Sequence, residues 1–278
     1  MRILPIKIHD SKTSFRSCDR VYKPQGHKAA EMSDTCEIRT YTNIFRTDID
    51  WTYLVKYMQS HFANKEKVNI YSLACSDGSE PYSLAMVMKE NMPENLLNKF
   101  LPIKASDIDN NVIDVAKNGR LNVYPIEFLI AENHCDMNLL KYLKDKKASV
   151  IIEGDSLSET DYIYSYKISD EISKMVNFKV SDILTELENI KDEGNSVVMC
   201  RNVFPYLKQN YIDKIIDTVR KVLKPDSLFI IGNFDETRKL SQKLIDKGFY
   251  YPLVNQTNIF TLGNKTNAYS RLINVINS

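Results

Sequence analysis

The stretch Val68 to Met88, VNIYSLACSDGSEPYSLAMVM, constrains the fold more than any other, because an apolar strand passes through a short polar turn directly into an apolar helix. Val68, Ile70, Leu73 and Ala74 suit a buried strand, and Cys75 to Ser79 is small and polar. Pro81 falls in the helix's first turn, where its missing N–H costs nothing. A strand–turn–helix of this kind aims backbone N–H groups and a helix N-terminus at one spot beyond the carboxyl end of a sheet, where a cofactor can sit. The glycine pattern is thin, since Gly78 stands alone where a dinucleotide turn needs three spaced glycines. On this stretch by itself, an ordinary connection without a ligand is an equal alternative.

The alternation repeats downstream. Leu101 to Ser106 reads as a second strand ending at Asp107, and Asn110 to Lys117 as a helix closed by Gly119. Val176 to Val180 and Ser196 to Cys200 read as further strands, ending beside Ser181-Asp182 and Arg201-Asn202-Val203. Leu207, Tyr211, Ile212, Ile215, Ile216, Val219 and Val222 recur at three- and four-residue steps, an amphipathic helix stopped by Lys224-Pro225. Ser227 to Gly232 is a fifth strand and Thr237 to Lys247 a helix; Phe249 to Val254 and Thr257 to Leu262 form a closing hairpin. Trp51, Leu54, Val55 and Met58 predict a helix beginning near Asp48. Strands alternating with helices predict an α/β, doubly wound sheet.

Two regions break the pattern. Residues 1 to about 40 have weak periodicity, and within the first 30 seven basic residues face only Asp10 and Asp19. Arg120 to Met175 is polar and Tyr-rich, with a helical piece predicted at Met137 to Lys144 and a strand at Ala148 to Glu153. The predicted organisation is therefore an N-terminal arm and cofactor-contacting segment over 1–47, then one α/β domain over 48–278 with an insertion at about 120–175.

Composition narrows the partners. Thirty-seven basic against 36 acidic residues leave a net charge of +1, so no global field drives the chain onto nucleic acid or an anionic membrane. No apolar run approaches the roughly 20 residues that span a bilayer, and the start lacks a signal peptide's apolar core. The expectation is a cytoplasmic monomer. Five scattered cysteines without C-x-x-C spacing and four isolated histidines predict neither a disulfide framework nor a metal site.

Four blocks in order, TNIFR (Thr42 to Arg46), CSDGSEPYSLA (Cys75 to Ala85), ASDIDNNVIDVAKNG (Ala105 to Gly119) and CRNVFPYL (Cys200 to Leu207), resemble the chemotaxis receptor methyltransferases of the CheR family. The resemblance implies a seven-stranded class I S-adenosylmethionine-dependent methyltransferase fold, related to the Rossmann fold. It also implies S-adenosyl-L-methionine as cofactor, with S-adenosyl-L-homocysteine as product. The implied acceptor is a glutamate carboxylate on a protein, such as the cytoplasmic helix of a chemoreceptor. Alternatives are another acceptor on the same fold, or a module that binds the cofactor without turnover.

The same resemblance places the cofactor against Thr40, Thr42, Arg46, Ala74, Ser76, Glu80, Asp107, Asp182, Ile183, Arg201 and Asn202. Arg46 would grip the cofactor's carboxylate through a charge-assisted bond. Asp107, at a strand end, would accept the ribose hydroxyls, with Asp109 either the rival binder or the helix N-cap. Asp182 would accept from the adenine amino group and Ile183 pack on the ring. Arg201 and Tyr206 are the expected catalytic residues, the first orienting the incoming carboxylate or a cofactor oxygen, the second lining the methyl's path. Three departures stand out: Pro205 immediately before Tyr206, Gly232-Asn233-Phe234 in place of a His-containing turn, and a short basic arm in place of a helical N-terminal domain.

Overall fold

The structure is a computed structural model that describes residues 21–22, 38–39, 42–151, 162–190, 194–253 and 256–262. In chain order its strands are β1 (Asn69–Leu73), β2 (Ile103–Asp107), β3 (Arg120–Val123), β4 (Leu143–Ile151), β5 (Tyr162–Ile168), β6 (Val176–Val180), β7 (Ser196–Cys200), β8 (Leu228–Ile230), β9 (Phe249–Tyr250) and β10 (Ile259–Leu262). The main helices are α1 (Trp51–His61), α2 (Ser79–Asn91), α3 (Asn110–Asn118), α4 (Pro125–Cys135), α5 (Ile183–Ile190), α6 (Gln209–Val222) and α7 (Leu240–Asp246).

Seven strands form one sheet in the order β9-β10-β8-β7-β1-β2-β6, parallel except for β10, which runs antiparallel to both neighbours. The expected doubly wound, seven-stranded fold is thus what the chain adopts. Strand order reverses between β1 and β7, so a crevice opens beyond their carboxyl ends, the place where such sheets bind ligands.

The central strands are buried on both faces, and their side chains alternate between two apolar clusters. Ile70, Val197, Met199, Leu228 and Ile230 pack on one side with α1 and α2. Tyr71, Leu73, Val198, Cys200 and Phe229 pack on the other with α5, α6 and α7. In α6 the buried residues Tyr211, Ile212, Ile215, Ile216, Val219 and Val222 are the stripe seen in the sequence. Removing one such side chain, as in Ile215→Ala, costs roughly 2–5 kcal/mol.

The interrupting passage is a separate three-stranded antiparallel sheet, ordered β3-β5-β4, together with α4. The helical piece expected at Met137 to Lys144 is a correction: the helix lies earlier, at Pro125–Cys135, followed by a 3-10 turn at Leu139–Tyr142 and then β4. Pro125 at the first helical position and Glu127, whose carboxylate accepts the Tyr124 N–H at 2.7 Å, start α4, and Asp136 at φ 50 ends it. The helix expected from Thr237 to Lys247 is split at Lys239, also left-handed at φ 51, into a 3-10 segment Asn233–Arg238 and α7. The basic arm lies outside the described residues, apart from a pairing of Val21–Tyr22 with Ile38–Arg39.

Candidate functional site

At the end of β1 the chain turns sharply, and its first two left-handed positions are not glycine. Ala74 (φ 55) and Ser76 (φ 51) both hold left-handed conformations, each costing on the order of 1–2 kcal/mol for a residue with a Cβ. The surroundings hold them there. Asp107, at the end of the neighbouring β2, accepts the Ser76 N–H at 2.9 Å on one carboxylate oxygen and the Asp109 N–H at 3.0 Å on the other. The Cys75 N–H donates to the Ser106 carbonyl at 2.9 Å. Burial pushes the Asp107 carboxyl above its usual range, against the downward pull of those N–H bonds. Asp109 caps α3 by accepting the Asn111 N–H at 2.9 Å.

Gly78 completes the turn at φ 87, and a Cβ there would meet the Phe178 ring at 3.0 Å. Asp77 accepts both the Ser79 N–H (2.9 Å) and the Ser79 hydroxyl (2.7 Å) at the start of α2. Ser83, one turn into that helix, accepts the Phe45 N–H at 2.9 Å, which ties the segment carrying Thr42 and Arg46 to α2. Both of those residues are half-buried, and the Arg46 carbonyl accepts the Trp51 indole N–H at 3.0 Å. Thr40 lies outside the described residues.

A charged network fills the floor beside the turn. The Arg201 side chain is fully enclosed, donating to Glu80 at 2.9 Å through one terminal nitrogen and to Asp48 through the other, with its guanidinium carbon 5.1 Å from the Trp51 ring centre. Glu80 also accepts the Ser72 hydroxyl at 2.7 Å. Asp48 in turn accepts the Asn202 amide (3.3 Å) and the Asn233 N–H (3.2 Å). Asn202, expected at the cofactor, sits at φ 58, so the two positive-φ turns of the site follow β1 and β7, the central pair of strands.

Two carboxylates in this network had no local signal. Asp48 was read only as the start of a helix, whereas Asp50 is the residue that caps α1, accepting the Tyr53 N–H at 2.8 Å. Asp235 is fully buried and accepts three backbone N–H groups: Gly232 and Asn202 at 2.7 Å and Phe204 at 3.1 Å. Burial pushes its carboxyl up to about 7, opposed by those N–H bonds and by the Arg201 charge. Apart from Gly232, three residues before Asp235, the partners named lie 31 to 185 positions away in sequence, so spacing could not have found them.

The remaining candidates are spread along the crevice. Tyr206 is half-buried and ends a 3-10 turn, Phe204–Tyr206. Asp182 caps α5 by accepting the Leu184 N–H at 2.9 Å and accepts the Tyr211 hydroxyl at 2.6 Å, while Ile183 is buried in the α5–α6 cluster. Burial raises the Cys75 and Cys200 thiols well above their usual range, so neither is poised as a thiolate nucleophile. A cavity of about 260 Å³ adjoins the network, lined by Phe45, Asp48, Trp51, His134, Asn233 and Asn258 among others, and none of Ala74 to Gly78 reaches it. Among the described residues no cluster of His, Cys, Asp or Glu is arranged for a metal, and no helix is long and apolar enough to cross a membrane.

Comparison with known proteins identifies the family. A chemotaxis protein methyltransferase of Borreliella burgdorferi is 28% identical over 176 residues, covering 63% of this chain and 55% of that protein. Chemotaxis protein methyltransferase 1 of Vibrio cholerae is 26% identical over 204 residues, covering 72% and 66%. The chain thus spans between half and two thirds of these relatives' own lengths. The family profile described as CheR methyltransferase, SAM binding domain, matches residues 40–248, a span that takes in the left-handed turn, Asp107, the Arg201 network and Asp235; the chain belongs to the CheR methyltransferase family.

Proposed function

We propose that the chain is an S-adenosylmethionine-dependent protein methyltransferase acting on glutamate side-chain carboxylates, with a chemoreceptor's cytoplasmic helix as the acceptor class. The observation that carries the reading is the turn Ala74–Ser76, held left-handed by Asp107 at the point where strand order reverses. The residues present fit the cofactor: the Ser76 hydroxyl oxygen is buried with no partner among the described residues, beside a strand-end carboxylate and the start of a helix. Matches named as chemotaxis methyltransferases support the acceptor class.

Bound S-adenosylmethionine supplies a methyl group on an electrophilic sulfonium. Asp107 would accept the ribose hydroxyls with lone pairs not used by the Ser76 and Asp109 N–H groups. Arg46, with Thr42, would hold the cofactor's carboxylate in a planar fork that lysine cannot reproduce. Asp182 and Ile183 would frame the adenine. Arg201, enclosed between Glu80 and Asp48, acts in this reading as a positioning residue that pairs with both carboxylates and keeps Glu80 aimed at the cofactor. Tyr206 lines the path between cofactor and acceptor.

A glutamate carboxylate, with an unperturbed pKa of about 4.3, is ionised at neutral pH and needs no general base. The protein's contribution is then alignment and exclusion of water, worth on the order of 7–11 kcal/mol when the reacting atoms are well placed. Ile126 and Leu129, both exposed on α4 of the inserted subdomain, offer an apolar surface for the acceptor.

Incubation with methyl-labelled cofactor and an acceptor-containing lysate tests the reading. Label should enter protein and leave as methanol in mild base, as carboxyl methyl esters do. Base-stable label would assign a different acceptor group, and no incorporation alongside tight S-adenosylhomocysteine binding would assign a binding module.

A further inference from the structure

We propose that the 3-10 segment Asn233–Arg238 is a clamp that sets the orientation of Tyr206, with Asp235 and Arg238 as its positioning residues. The proposal rests on the methyl-transfer reading for its consequence, though not for its geometry.

Tyr206 ends a three-residue 3-10 turn, and its internal bonds are few: Tyr206 N–H to Val203 carbonyl at 3.0 Å and Leu207 N–H to Phe204 carbonyl at 3.1 Å. Pro205 has no N–H to give. A turn so short has little stability of its own and takes whatever geometry its surroundings impose. Here one neighbouring segment engages both ends. Asp235 accepts the Phe204 N–H at 3.1 Å on one carboxylate oxygen and the Asn202 N–H at 2.7 Å on the other. Arg238, three residues on, donates from a single terminal nitrogen to the Pro205 and Leu207 carbonyls, each at 3.1 Å.

The carboxylate therefore holds the donors that lead into the turn, and the guanidinium holds the acceptors on either side of Tyr206. The Arg238 bonds are charge-assisted, and Asp235 has no solvent exposure, so water does not compete for it. The two loops approach so closely that a Cβ at Gly232 would lie 2.2 Å from the Asn202 side-chain oxygen, which also accepts the Phe234 N–H at 3.1 Å. The Gly232-Asn233-Phe234 stretch, a departure from the family pattern, is thus the lead-in to the clamp. Arg238 also holds the carbonyl of Pro205, the residue immediately before Tyr206. Among the described residues Arg238 is not hydrogen-bonded to Ala74, Ser76 or Asp107, so its part of the clamp is expected to govern the transfer rate and not cofactor affinity, whereas Asp235 also holds the N–H of Asn202, a residue expected at the cofactor.

The test uses the full chain carrying 3-fluorotyrosine at position 206, with Arg238→Met, Arg238→Lys and Asp235→Asn compared against the parent. Fluorine NMR reads the environment of the ring, calorimetry reads S-adenosylhomocysteine binding, and single-turnover transfer reads the rate. Arg238→Met should shift or broaden the fluorine signal, lower the rate tenfold or more, and leave the Kd within twofold. Arg238→Lys should recover part of the rate, because an ammonium can still donate to one carbonyl. A folded Arg238→Met protein whose fluorine signal is unmoved overturns the clamp, whatever its rate. Should the parent transfer no methyl group, the functional reading fails while the fluorine signal still decides the clamp; should Asp235→Asn not fold, Arg238→Met alone decides it.

Discussion

Arg201 and Glu80 meet at 2.9 Å across 121 positions of sequence, with the guanidinium wholly enclosed and Asp48 on its second terminal nitrogen. One cation thus serves two carboxylates whose side chains are only 11% and 12% exposed. Removing it as Arg201→Met would strand both charges in poorly hydrated surroundings. Breaking a buried pair in this way costs roughly 3–5 kcal/mol, a drop in Tm on the order of 10 °C for a domain of this size. Arg201→Lys should lose less, since an ammonium keeps the charge but not the two-armed geometry. A melting curve for Arg201→Met within 2 °C, roughly one kcal/mol, of the parent would show that the network carries no such load.

Asp107 pins Ser76, and in the proposed function it would also offer its remaining lone pairs to a ribose. Asp107→Ala should weaken S-adenosylhomocysteine binding by about 1.5–3 kcal/mol, the range for a hydrogen bond to a charged group. Calorimetry reads this directly. An unchanged affinity in a folded variant would take Asp107 out of the site.

Gly232 has an ordinary extended backbone at φ −99, so any cost of Gly232→Ala comes from contact alone. The added Cβ would fall 2.2 Å from the Asn202 side-chain oxygen. Forcing that side chain aside should cost about 1–3 kcal/mol, as overpacking does. Adding Asn202→Ala should restore part of the lost stability, and a double variant no more stable than Gly232→Ala would place the strain elsewhere.

Glu127, buried at the start of α4, has a carboxyl pushed up to about 8, chiefly by burial, with the Asp77 charge adding and the Tyr124 and Ile44 backbone bonds opposing. Between its ordinary value of 4.5 and about 8 the folded chain holds a proton that the unfolded chain has released. Stability from this group is therefore complete below about pH 4.5 and declines as pH rises through 8. Glu127→Gln keeps an acceptor for the Tyr124 N–H without the titrating proton. Its Tm relative to the parent should rise between pH 5 and 8.5, by several degrees. A Tm difference that is flat across that range would mean that Glu127 is ionised in the fold.

The sheet was legible because its rules are local. β1, β2, β6, β7 and β8 each show an apolar run ended by a polar turn, and each was expected within a few residues of where it lies. Asp109 as N-cap and Gly119 as left-handed helix end follow from chemistry within one turn of helix. The inserted subdomain was not legible. Its strands are antiparallel and β4 pairs with β5 in an irregular register, and α4 starts at Pro125–Glu127 within an apolar stretch, Val123 to Ile130, that shows no one-sided helical stripe.

By itself, the sequence determined the order of strands and helices, the polar turn after β1 and the residue types along the crevice, because backbone conformation and burial pattern are set by neighbours within a few positions. Only the tertiary structure decided what those residues do to one another. That Arg201 is enclosed by Asp48 and Glu80, that Asp235 gathers the N–H groups of two loops, and that Arg238 holds the turn of Tyr206 are facts about residues 31 to 153 positions apart. They follow from β1, β7 and β8 lying side by side and ending on the same edge of the sheet, which brings loops remote in sequence within hydrogen-bonding distance.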